Sequence, residues 1–391
     1  MKIARRIQNV QESLTLALTA KAKAMREEGI DVIGFGAGEP DFDTPEPIKQ
    51  RAIAELNAGN TKYTPASGTP ALKKSIVEKF KRDQGLEYTP AQVIVSCGAK
   101  HSLYNIFMAL VDDGDEVIIP APYWLSYPEM VTMAGGRSVF VEATVEQNFK
   151  ITPEQLEAAI TPRTVAFLMN SPSNPTGMIY SREELEGLAR VLERHPNVAI
   201  ISDEIYEKLV YDGAMHTSIA QLSPELKERT LVVNGMSKAY SMTGWRLGYV
   251  AGPLDIIKAI GRLQSHSTSN PVTFCQPAAI TALDTCEGEI ARMVKAFDER
   301  RREMVKRLNA MNGVRCPEPR GAFYAFPDVS DTYGRMGVSG SIQFAEKLLA
   351  EARVSVVPGA PFGEDRCIRL SYATSMDNIV KGLDRLAKFL A

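Results

Sequence analysis

Short, almost uninterrupted apolar runs alternate with longer segments of helical period through the middle of the chain. In chain order these runs are VIVS (93–96), EVIIP (116–120), VAFLMN (165–170), VAIISD (198–203), TLVVN (230–234) and LGYVA (247–251). Strands that are apolar throughout are typical of a sheet covered by helices on both faces, so the pattern predicts an α/β fold with a mostly parallel sheet. Ligands of such sheets bind at the carboxyl ends of the strands, which directs attention to the loops that follow these runs.

The length of 391 residues predicts more than one domain, because a single hydrophobic core stops growing at roughly 250 to 300 residues. Helices are predicted over 11–28, over 287–312, near 341–351 and from Asp377, with further strands at GAFYAF (321–326), VSVVP (354–358) and CIRLS (367–371). We therefore expect an N-terminal segment (1–45) packed on a small α+β domain (301–391), and a large domain (46–300) between them.

Composition and charge narrow the class of function. The 45 Lys and Arg balance 47 Asp and Glu, and no window is rich in one sign, so neither nucleic acid nor an anionic membrane is expected as a partner. The N-terminus has no apolar core of a signal peptide, and no run reaches the roughly 18 apolar residues of a membrane span. Five scattered cysteines and four distant histidines indicate reduced thiols and no metal site. A cytoplasmic protein with small-molecule partners is expected.

A lysine follows the strand TLVVN in the segment SKAYSMTGWRLGY (237–249), among small, aromatic and apolar residues. An amine buried in such surroundings beside other cations has a lowered pKa and can form a Schiff base with an aldehyde. Lys238 taken alone also fits a lysine that extends past apolar neighbours into solvent. Arg246, in the same apolar stretch, needs an anionic partner, which is either a structural carboxylate or a bound phosphate.

Asp203 ends the strand VAIISD, and Tyr206 follows three residues later. A carboxylate at this place can cap a helix or form a structural ion pair. It can also be the counter-charge that keeps the ring nitrogen of pyridoxal phosphate protonated.

Two more loops follow predicted strands. In NSPSNPTG (170–177), X-Pro bonds held cis can direct Asn174 inward, although any tight turn has a similar composition. SCGAKHS (96–102) joins a strand to a helix that begins at Ala99, so its free N–H groups can bind phosphate. The loop matches neither G-x-G-x-x-G nor G-x-x-x-x-G-K-[ST], which removes the main support for a dinucleotide or P-loop site.

Two large side chains complete the set. Trp124 in APYWLSYP (121–128) either packs in the core or stacks on a flat heteroaromatic ring. Arg369 interrupts the apolar strand CIRLSYA and is either ion-paired within the protein or a bidentate clamp for a substrate carboxylate.

In this order and loop context the residues resemble a class I aminotransferase of the pyridoxal phosphate fold type I. The resemblance covers nearly the whole chain, through GAGEPDFDTP (36–45), KYTPASG (62–68), SNPTG, SDEIYEKL, SKAYSMTGWRLGY and RLSYAT. It is strongest with the bacterial aspartate aminotransferases that share the PYWxSYPEM and VNGxxKAxxMTGWRxGY patterns. The fold it implies is a large domain with a mostly parallel seven-stranded sheet between helices, plus a smaller α+β domain.

The resemblance implies a role for each matching residue. Lys238 would form the Schiff base with the cofactor and carry the proton between the substrate α-carbon and the cofactor. Asp203 would keep the pyridine nitrogen protonated. Tyr206 and Asn174 would bind the 3′-oxygen, and Trp124 would stack on the ring and contact the substrate.

The phosphate would be bound by a group of side chains and backbone amides, namely Ser237, Arg246, Gly98, Ala99 and Lys100. Tyr63 matches a tyrosine that reaches the phosphate of the neighbouring subunit, which implies a homodimer with shared active sites. Arg369, with Asn174 and the backbone of Gly38, would clamp the substrate α-carboxylate.

A dicarboxylate substrate needs a second cation. One subgroup takes an arginine from a loop that corresponds to SHSTSNP (265–271), where this chain has none. Another subgroup uses a lysine at the position of Lys100 with nearby hydroxyls, which here would be Ser13 and Thr15. A solvated lysine and ordinary helix-start residues are the alternatives. The implied reaction is ping-pong transfer of the amino group of L-aspartate to 2-oxoglutarate.

Other activities on the same fold stay open at this stage. Relatives that accept prephenate, giving arogenate, carry a lysine where this chain has Gln11 and Glu12, which weighs against that substrate. Aromatic amino acids or alanine are alternative donors. A carbon–sulfur lyase would keep Lys238 and Asp203 but would catalyse elimination instead of amino-group transfer. A cofactor-binding transcription regulator would need a DNA-binding domain, for which the segment before GAGEPDF leaves no room.

Overall fold

The computed structural model describes residues 1–10 and 14–391, and for Arg5 and residues 14–19 it describes the backbone alone. The helices of this part are α1 (Arg5–Gln8), α2 (Leu14–Glu27), α3 (Glu46–Asn57), α4 (Pro70–Gln84), α5 (Ala99–Leu110), α6 (Ser126–Met133), α7 (Pro153–Ala159), α8 (Arg182–Arg194), α9 (Pro224–Lys227), α10 (Leu254–Ser267), α11 (Cys275–Thr285), α12 (Glu287–Asn309), α13 (Tyr333–Met336), α14 (Ser341–Ala352) and α15 (Met376–Leu390).

The strands are β1 (Ile33–Gly34), β2 (Val93–Ser96), β3 (Glu116–Ala121), β4 (Arg137–Glu142), β5 (Thr164–Asn170), β6 (Ala199–Asp203), β7 (Thr230–Gly235), β8 (Gly248–Ala251), β9 (Tyr324–Ala325), β10 (Val354–Ser355), β11 (Val357–Pro358) and β12 (Ile368–Ser371). Each of the six apolar runs forms one strand of a seven-stranded sheet. The fold is therefore mixed α/β, as predicted.

The order of strands in this sheet is β2-β8-β7-β6-β5-β3-β4. β8 runs antiparallel to both of its neighbours, and the other pairs are parallel. Consecutive core residues point to opposite faces, so that Ile201 packs in the apolar cluster on one side of the sheet and Ile200 in the cluster on the other. Burial on both faces is why the strands read as continuous apolar runs.

The helices begin and end where local signals place them. α8 starts with a capping box, in which Ser181 and Glu184 satisfy each other's backbone N–H groups. α4 begins after Thr69, whose side chain accepts from Leu72 N, and ends at Gly85 with φ 65°.

A second, antiparallel sheet has the order β11-β12-β9, and β10 pairs with β1 in parallel. The single strand predicted over 354–358 is wrong, because the chain changes partner at Val356: β10 joins the N-terminal segment and β11 joins β12. The predicted strand at 321–326 shortens to β9, and the helix predicted over 287–312 ends at Asn309.

The limits of the proposed domains stay a prediction. The pairing of Ile33 with Val354 links the N-terminal segment to the C-terminal part, and α12 runs through the expected boundary after residue 300. Within residues 1–10 and 14–391, no helix is both long and apolar enough to cross a membrane.

Candidate active site

A cavity of about 720 Å³ opens where β5 and β6 end, at the edge of the sheet where parallel strands place their ligands. Its wall is built from distant parts of the chain: α2, the loop after β1, the start of α5, the loop after β3, the turn after β7, and strands β9 and β12. Almost every loop that the sequence singled out contributes to it.

Lys238 lies in the turn after β7, and its Nζ donates a hydrogen bond to the carbonyl oxygen of Gly38. Burial lowers the pKa of this amine to about 8, and the positive charge of Arg369 acts in the same direction. The carboxylates of Glu39 and Asp203 oppose the shift without cancelling it. About a tenth of the amine is therefore uncharged and nucleophilic at pH 7, far more than for an ordinary lysine.

Asp203 ends β6 with its carboxyl group buried. Its Oδ2 accepts from Tyr127 Oη at 2.7 Å and its Oδ1 from the backbone N–H of Ile205 at 3.2 Å. Burial raises its pKa to about 6, even though both of these hydrogen bonds act to lower it. A buried carboxyl group held by neutral donors suits a cation that arrives with a ligand.

Asn174 follows β5 in a loop whose Ser171–Pro172 and Asn174–Pro175 peptide bonds are cis. Its Oδ1 accepts from Arg369 Nη1 at 2.9 Å, and its backbone N–H donates to Asn170 Oδ1 at 2.8 Å. Asn170 Nδ2 in turn donates to the carbonyl oxygen of Asp203 at 2.9 Å. These bonds hold the ends of β5 and β6 and the arginine of β12 in one network.

The start of α5 forms an anion-binding cradle. Gly98 has φ 92°, and a Cβ there would lie 2.4 Å from Arg246 Nη2, so only glycine lets the guanidinium pack against this turn. A Cβ on Gly248 would lie 2.1 Å from Ala99 N. The first N–H groups of a helix have no intrahelical acceptor, and the helix dipole favours negative charge there. The arrangement suits a phosphate.

Lys100 lies one residue into α5, with its Nζ 4.7 Å from the centroid of the Trp124 ring. Burial lowers the pKa of this amine, and the charge of Arg246 adds to the effect. Both residues line the cavity, so Lys100 is a further basic side chain of a wall that also includes Arg26, Lys238, Arg246 and Arg369.

The family model described as aminotransferase class I and II matches residues 30–386. The chain belongs to this family. The aspartate aminotransferase of Geobacillus stearothermophilus is 54% identical over 390 residues, which cover 100% of this chain and 99% of that protein. The aspartate/prephenate aminotransferase of Cereibacter sphaeroides is 52% identical over 387 residues, 98% of this chain and 97% of that protein.

Solved structures agree with the fold of this aminotransferase. The aspartate aminotransferase from Rhizobium meliloti superposes with a TM-score of 0.96 at 45% identity, over 100% of this chain and 99% of that one. This confirms the fold type I aminotransferase architecture expected from the sequence.

Aminotransferases of this class use pyridoxal phosphate, and the residues of the cavity fit it. The cofactor has an aldehyde, a basic ring nitrogen and a phosphate. The cavity offers an amine with a lowered pKa, a buried carboxyl group held by neutral donors, and a cradle in which glycine alone fits against Arg246.

Most of the residues predicted for the site line the cavity: Gly38, Ala99, Lys100, Trp124, Asn174, Asp203, Tyr206, Ser237, Lys238, Arg246 and Arg369. Gly98 lies behind the wall, against Arg246. Tyr63 is 89% exposed and is not among the described residues that line the cavity. Ser13 lies outside the described residues, as does the side chain of Thr15 in α2.

Sequence reasoning missed other residues of the cavity wall, and three of these form hydrogen bonds that matter to the site. Tyr127 binds Asp203, Asn170 links two strand ends, and Tyr324 places its Oη 2.9 Å from Tyr206 Oη. Each stands inside a segment that had been singled out for another residue or as a strand. A hydroxyl or amide within an otherwise apolar stretch was the available signal.

A buried charge cluster lies behind the segment 203–207; we define it as Lys79, Asp83, Gln84, Glu204, Glu207 and His216. Gln84 Nε2 donates to Glu204 Oε2 at 2.7 Å and to Glu207 Oε2 at 2.8 Å, and His216 Nε2 lies 2.9 Å from Glu204 Oε2. Lys79 forms an ion pair with Glu207. Possible metal-ligand atoms of Glu204, Glu207 and His216 lie within 4.8 Å of one another, and the carboxylates of both glutamates already accept hydrogen bonds from Gln84.

Proposed function

We propose that this aminotransferase transfers the amino group of L-aspartate to 2-oxoglutarate, giving oxaloacetate and L-glutamate. The observation that carries the proposal is the cavity itself, in which the amine of Lys238 shares one wall with the carboxyl group of Asp203, the guanidinium of Arg369 and the second cation Lys100. The names of the relatives, aspartate and aspartate/prephenate aminotransferases, support the choice of substrate.

Pyridoxal phosphate, when bound, supplies an aldehyde that bonds to amines and a ring that accepts electrons from the substrate α-carbon. In our proposal Lys238 Nζ holds the aldehyde carbon and Asp203 the protonated ring nitrogen. Tyr206 and Asn174 hold the 3′-oxygen, and Trp124 covers the ring. The phosphate is held by Ser237, Arg246 and the backbone of Gly98, Ala99 and Lys100.

Arg369 binds the α-carboxylate of the substrate. Its Nη1 and Nη2 are fixed by Asn174 and by the carbonyl oxygen of Gly36, at 2.9 and 3.1 Å. Its buried Nε has no hydrogen-bond partner among the described residues, so one donor of the fork is free. A planar guanidinium with a fixed orientation matches a carboxylate, and the backbone of Gly38 completes the clamp.

Lys238 carries the proton. With a pKa of about 8, its Nζ can take the proton from the substrate α-carbon and return it to a different carbon in the same half-reaction. The second substrate uses the same cavity after the first product has left, which gives ping-pong kinetics. Closure of the N-terminal segment over the cavity would exclude water.

Lys100 selects dicarboxylates in this proposal, together with Ser13 and Thr15. A lysine amine at this place can pair with the second carboxylate of aspartate. The glutamine and glutamate at 11 and 12 argue against prephenate as the preferred acceptor.

The assembly in our proposal is a homodimer with shared sites, in the cytoplasm. The exposed side chain of Tyr63, placed away from its own cavity, is available to a neighbouring subunit. Donors other than aspartate, and carbon–sulfur elimination, are the outcomes that the following experiment separates.

The test is the visible absorption spectrum of the cofactor-loaded protein before and after L-aspartate, with L-alanine and L-phenylalanine in parallel. We expect aspartate alone to bleach the band and 2-oxoglutarate to restore it. A parallel sample with L-cystathionine tests for a lyase, because elimination of its sulfur group would release ammonia and pyruvate without a keto acid. A Lys238→Ala variant that still turns over at a near-normal rate would refute the mechanism.

Specificity is tested separately with Lys100→Ala. Loss of one charged contact predicts a fall in kcat/KM for aspartate of about 10- to 100-fold, since such a contact is worth about 1.5 to 3 kcal/mol. The value for alanine, which lacks the second carboxylate, should change little. An equal loss on both substrates would remove Lys100 from the specificity argument.

A further inference from the structure

We propose that Tyr324 is a positioning residue that joins the substrate-binding arginine Arg369 to the hydroxyl of Tyr206. The inference rests on the proposed function, because it assigns Arg369 to the substrate and Tyr206 to the cofactor. Tyr324 contacts both residues, so one side chain holds in place the arginine that binds the carboxylate and the hydroxyl that binds the cofactor.

The register of the second sheet brings the tyrosine to the arginine. Tyr324 in β9 pairs with Ser371 in β12, and Arg369 lies two residues before Ser371 on the same face of its strand. Residues diagonal to one another across an antiparallel pair are close enough for long side chains to meet. Tyr324 is buried, and it lines the cavity.

The ring of Tyr324 fixes the plane of the guanidinium. The Arg369 Cζ atom lies 4.5 Å from the centroid of the Tyr324 ring and 5.1 Å from that of Phe362. Two aromatic rings therefore restrict the plane of the guanidinium, while Asn174 and Gly36 restrict its rotation in that plane. An arginine fixed in this way loses less freedom when a carboxylate binds.

The hydroxyl of Tyr324 acts on Tyr206. The two Oη atoms are 2.9 Å apart in a buried site. When Tyr324 donates this bond, the proton of Tyr206 is free to be donated to the 3′-oxygen of the cofactor. Hydrogen bonds in a chain strengthen one another, so Tyr206 becomes a better donor. The hydrogen bond that Tyr206 donates to the ionised 3′-oxygen favours the charged form of that oxygen, and so it lowers the pKa of this cofactor group.

A tyrosine that only filled space would not need its hydroxyl at the cavity. Tyr372 offers the comparison, since its hydroxyl lies 3.4 Å from the carbonyl oxygen of Ala322 and 3.5 Å from that of Gly321. It is buried in the same core, but it does not line the cavity in the described part of the chain. Tyr372→Phe is therefore a matched control for the loss of one buried hydroxyl.

The experiment uses Tyr324→Phe, Tyr324→Leu and the control Tyr372→Phe, all loaded with pyridoxal phosphate. Tyr324→Phe keeps the ring and loses the hydroxyl, so we expect the pH midpoint of the visible absorbance change to rise by about 0.5 unit, with KM for aspartate within about twofold. Tyr324→Leu also loses the ring and should raise KM about tenfold. Tyr372→Phe should show neither effect.

Two results would overturn the inference: a midpoint for Tyr324→Phe no different from that of Tyr372→Phe, or an unchanged KM in Tyr324→Leu. Should the leucine variant fail to fold, the conservative phenylalanine variant decides through its midpoint alone. Failure of the proposed function looks different, because the wild-type protein itself would then show no absorption band or no turnover with aspartate.

Discussion

The segment 203–207 has two faces that meet opposite surroundings. Asp203 and Tyr206 line the cavity, where the carboxyl group of Asp203 is held by a hydroxyl and a backbone N–H. Glu204 and Glu207 point into the charge cluster, where His216 and Lys79 are their partners. The same type of side chain, a buried carboxylate, is thus placed beside cations on one face and beside neutral donors on the other.

The pKa values of the two neighbours follow this difference. Burial raises the pKa of Asp203 to about 6. Burial also acts to raise the pKa of Glu204, but the charge of His216 and hydrogen bonds from His216, Ser218 and Ser202 together lower it. The chain pairs its buried charges where they only support the fold. Among the described residues it leaves the Asp203 carboxyl group without an ion pair, at a place where a ligand is to provide the cation, and such a group is typical of a functional site.

Asp203→Asn gives the strongest test of this difference between the two faces of the segment 203–207. Loss of the counter-charge should lower kcat with aspartate by about 1000-fold, as for other preorganised electrostatic groups. The cofactor-free protein should at the same time gain stability at pH 8. The raised pKa means that the folded state binds the proton more tightly, so the charged form costs up to about 3 kcal/mol at pH values above 6.

Steady-state kinetics and denaturant unfolding at pH 8 and pH 5 measure both effects, and the gain in stability should shrink at the lower pH. The matched control is Glu204→Gln, one residue along the segment. There we expect the free energy of unfolding to fall by about 2 to 4 kcal/mol, because Gln84, Ser202, Ser218 and His216 all lose a charged acceptor. If both variants lose stability alike, the two faces do not differ as described.

Lys79→Met tests the charge cluster by removing the cation that pairs with Glu207. The Lys79 side chain is 1% exposed and pairs with Glu207, so its removal leaves a buried carboxylate without its cation. We expect the free energy of unfolding to fall by about 3 to 5 kcal/mol. Urea unfolding of the cofactor-free protein measures the loss.

Lys81→Met is the control on the same helix, since Lys81 pairs with Glu87 at 2.8 Å while both side chains are largely exposed. Exposed pairs contribute little, and this variant should unfold close to the wild type. The double variant Lys79→Met/Glu207→Met should recover much of the loss, because no buried charge is left unpaired. A single Lys79 variant as stable as the Lys81 one would contradict the role of the cluster.

Much of the fold could be predicted because strands buried on both faces leave an uninterrupted apolar run. β4 escaped this reasoning, since it is an edge strand and most of RSVFVE is exposed or half-buried. The change of sheet within VSVVP also leaves no local sign, because it depends on partners in β1 and β12.

The residues of the candidate site likewise fall into those that the sequence predicted and those that it did not. Lys238, Asp203 and Arg369 stood out as charges in apolar stretches, and the structure brings all three to one cavity. Tyr127 and Tyr324 did not stand out, because a tyrosine is ordinary in a core and their partners lie 76 and 118 residues away in the chain. Which face of 203–207 is functional also depended on distant residues, such as Lys79 and His216.

The smallest expected effect is a shift in the pKa of Lys238, and it tests directly which face of the segment 203–207 this amine senses. In the cofactor-free protein, the rate at which an amine-reactive ester labels Lys238 should rise with pH and be half-maximal near pH 8, rather than near the ordinary lysine value of about 10.4. Arg369→Gln should move this midpoint upward, because the positive charge that helps to lower the pKa is gone. Asp203→Asn should move it downward, because that carboxylate raises it.

Mass spectrometry of labelled peptides resolves Lys238 from the surface lysines. The decisive control is again Glu204→Gln, whose carboxylate faces the charge cluster and is matched there by His216, so its loss should leave the Lys238 midpoint in place. A shift as large as that of Asp203→Asn would mean that the amine senses both faces of the segment alike. No shift in either variant, with a midpoint near 10, would mean that the cavity does not lower the pKa of Lys238 and that another base must accept the substrate proton.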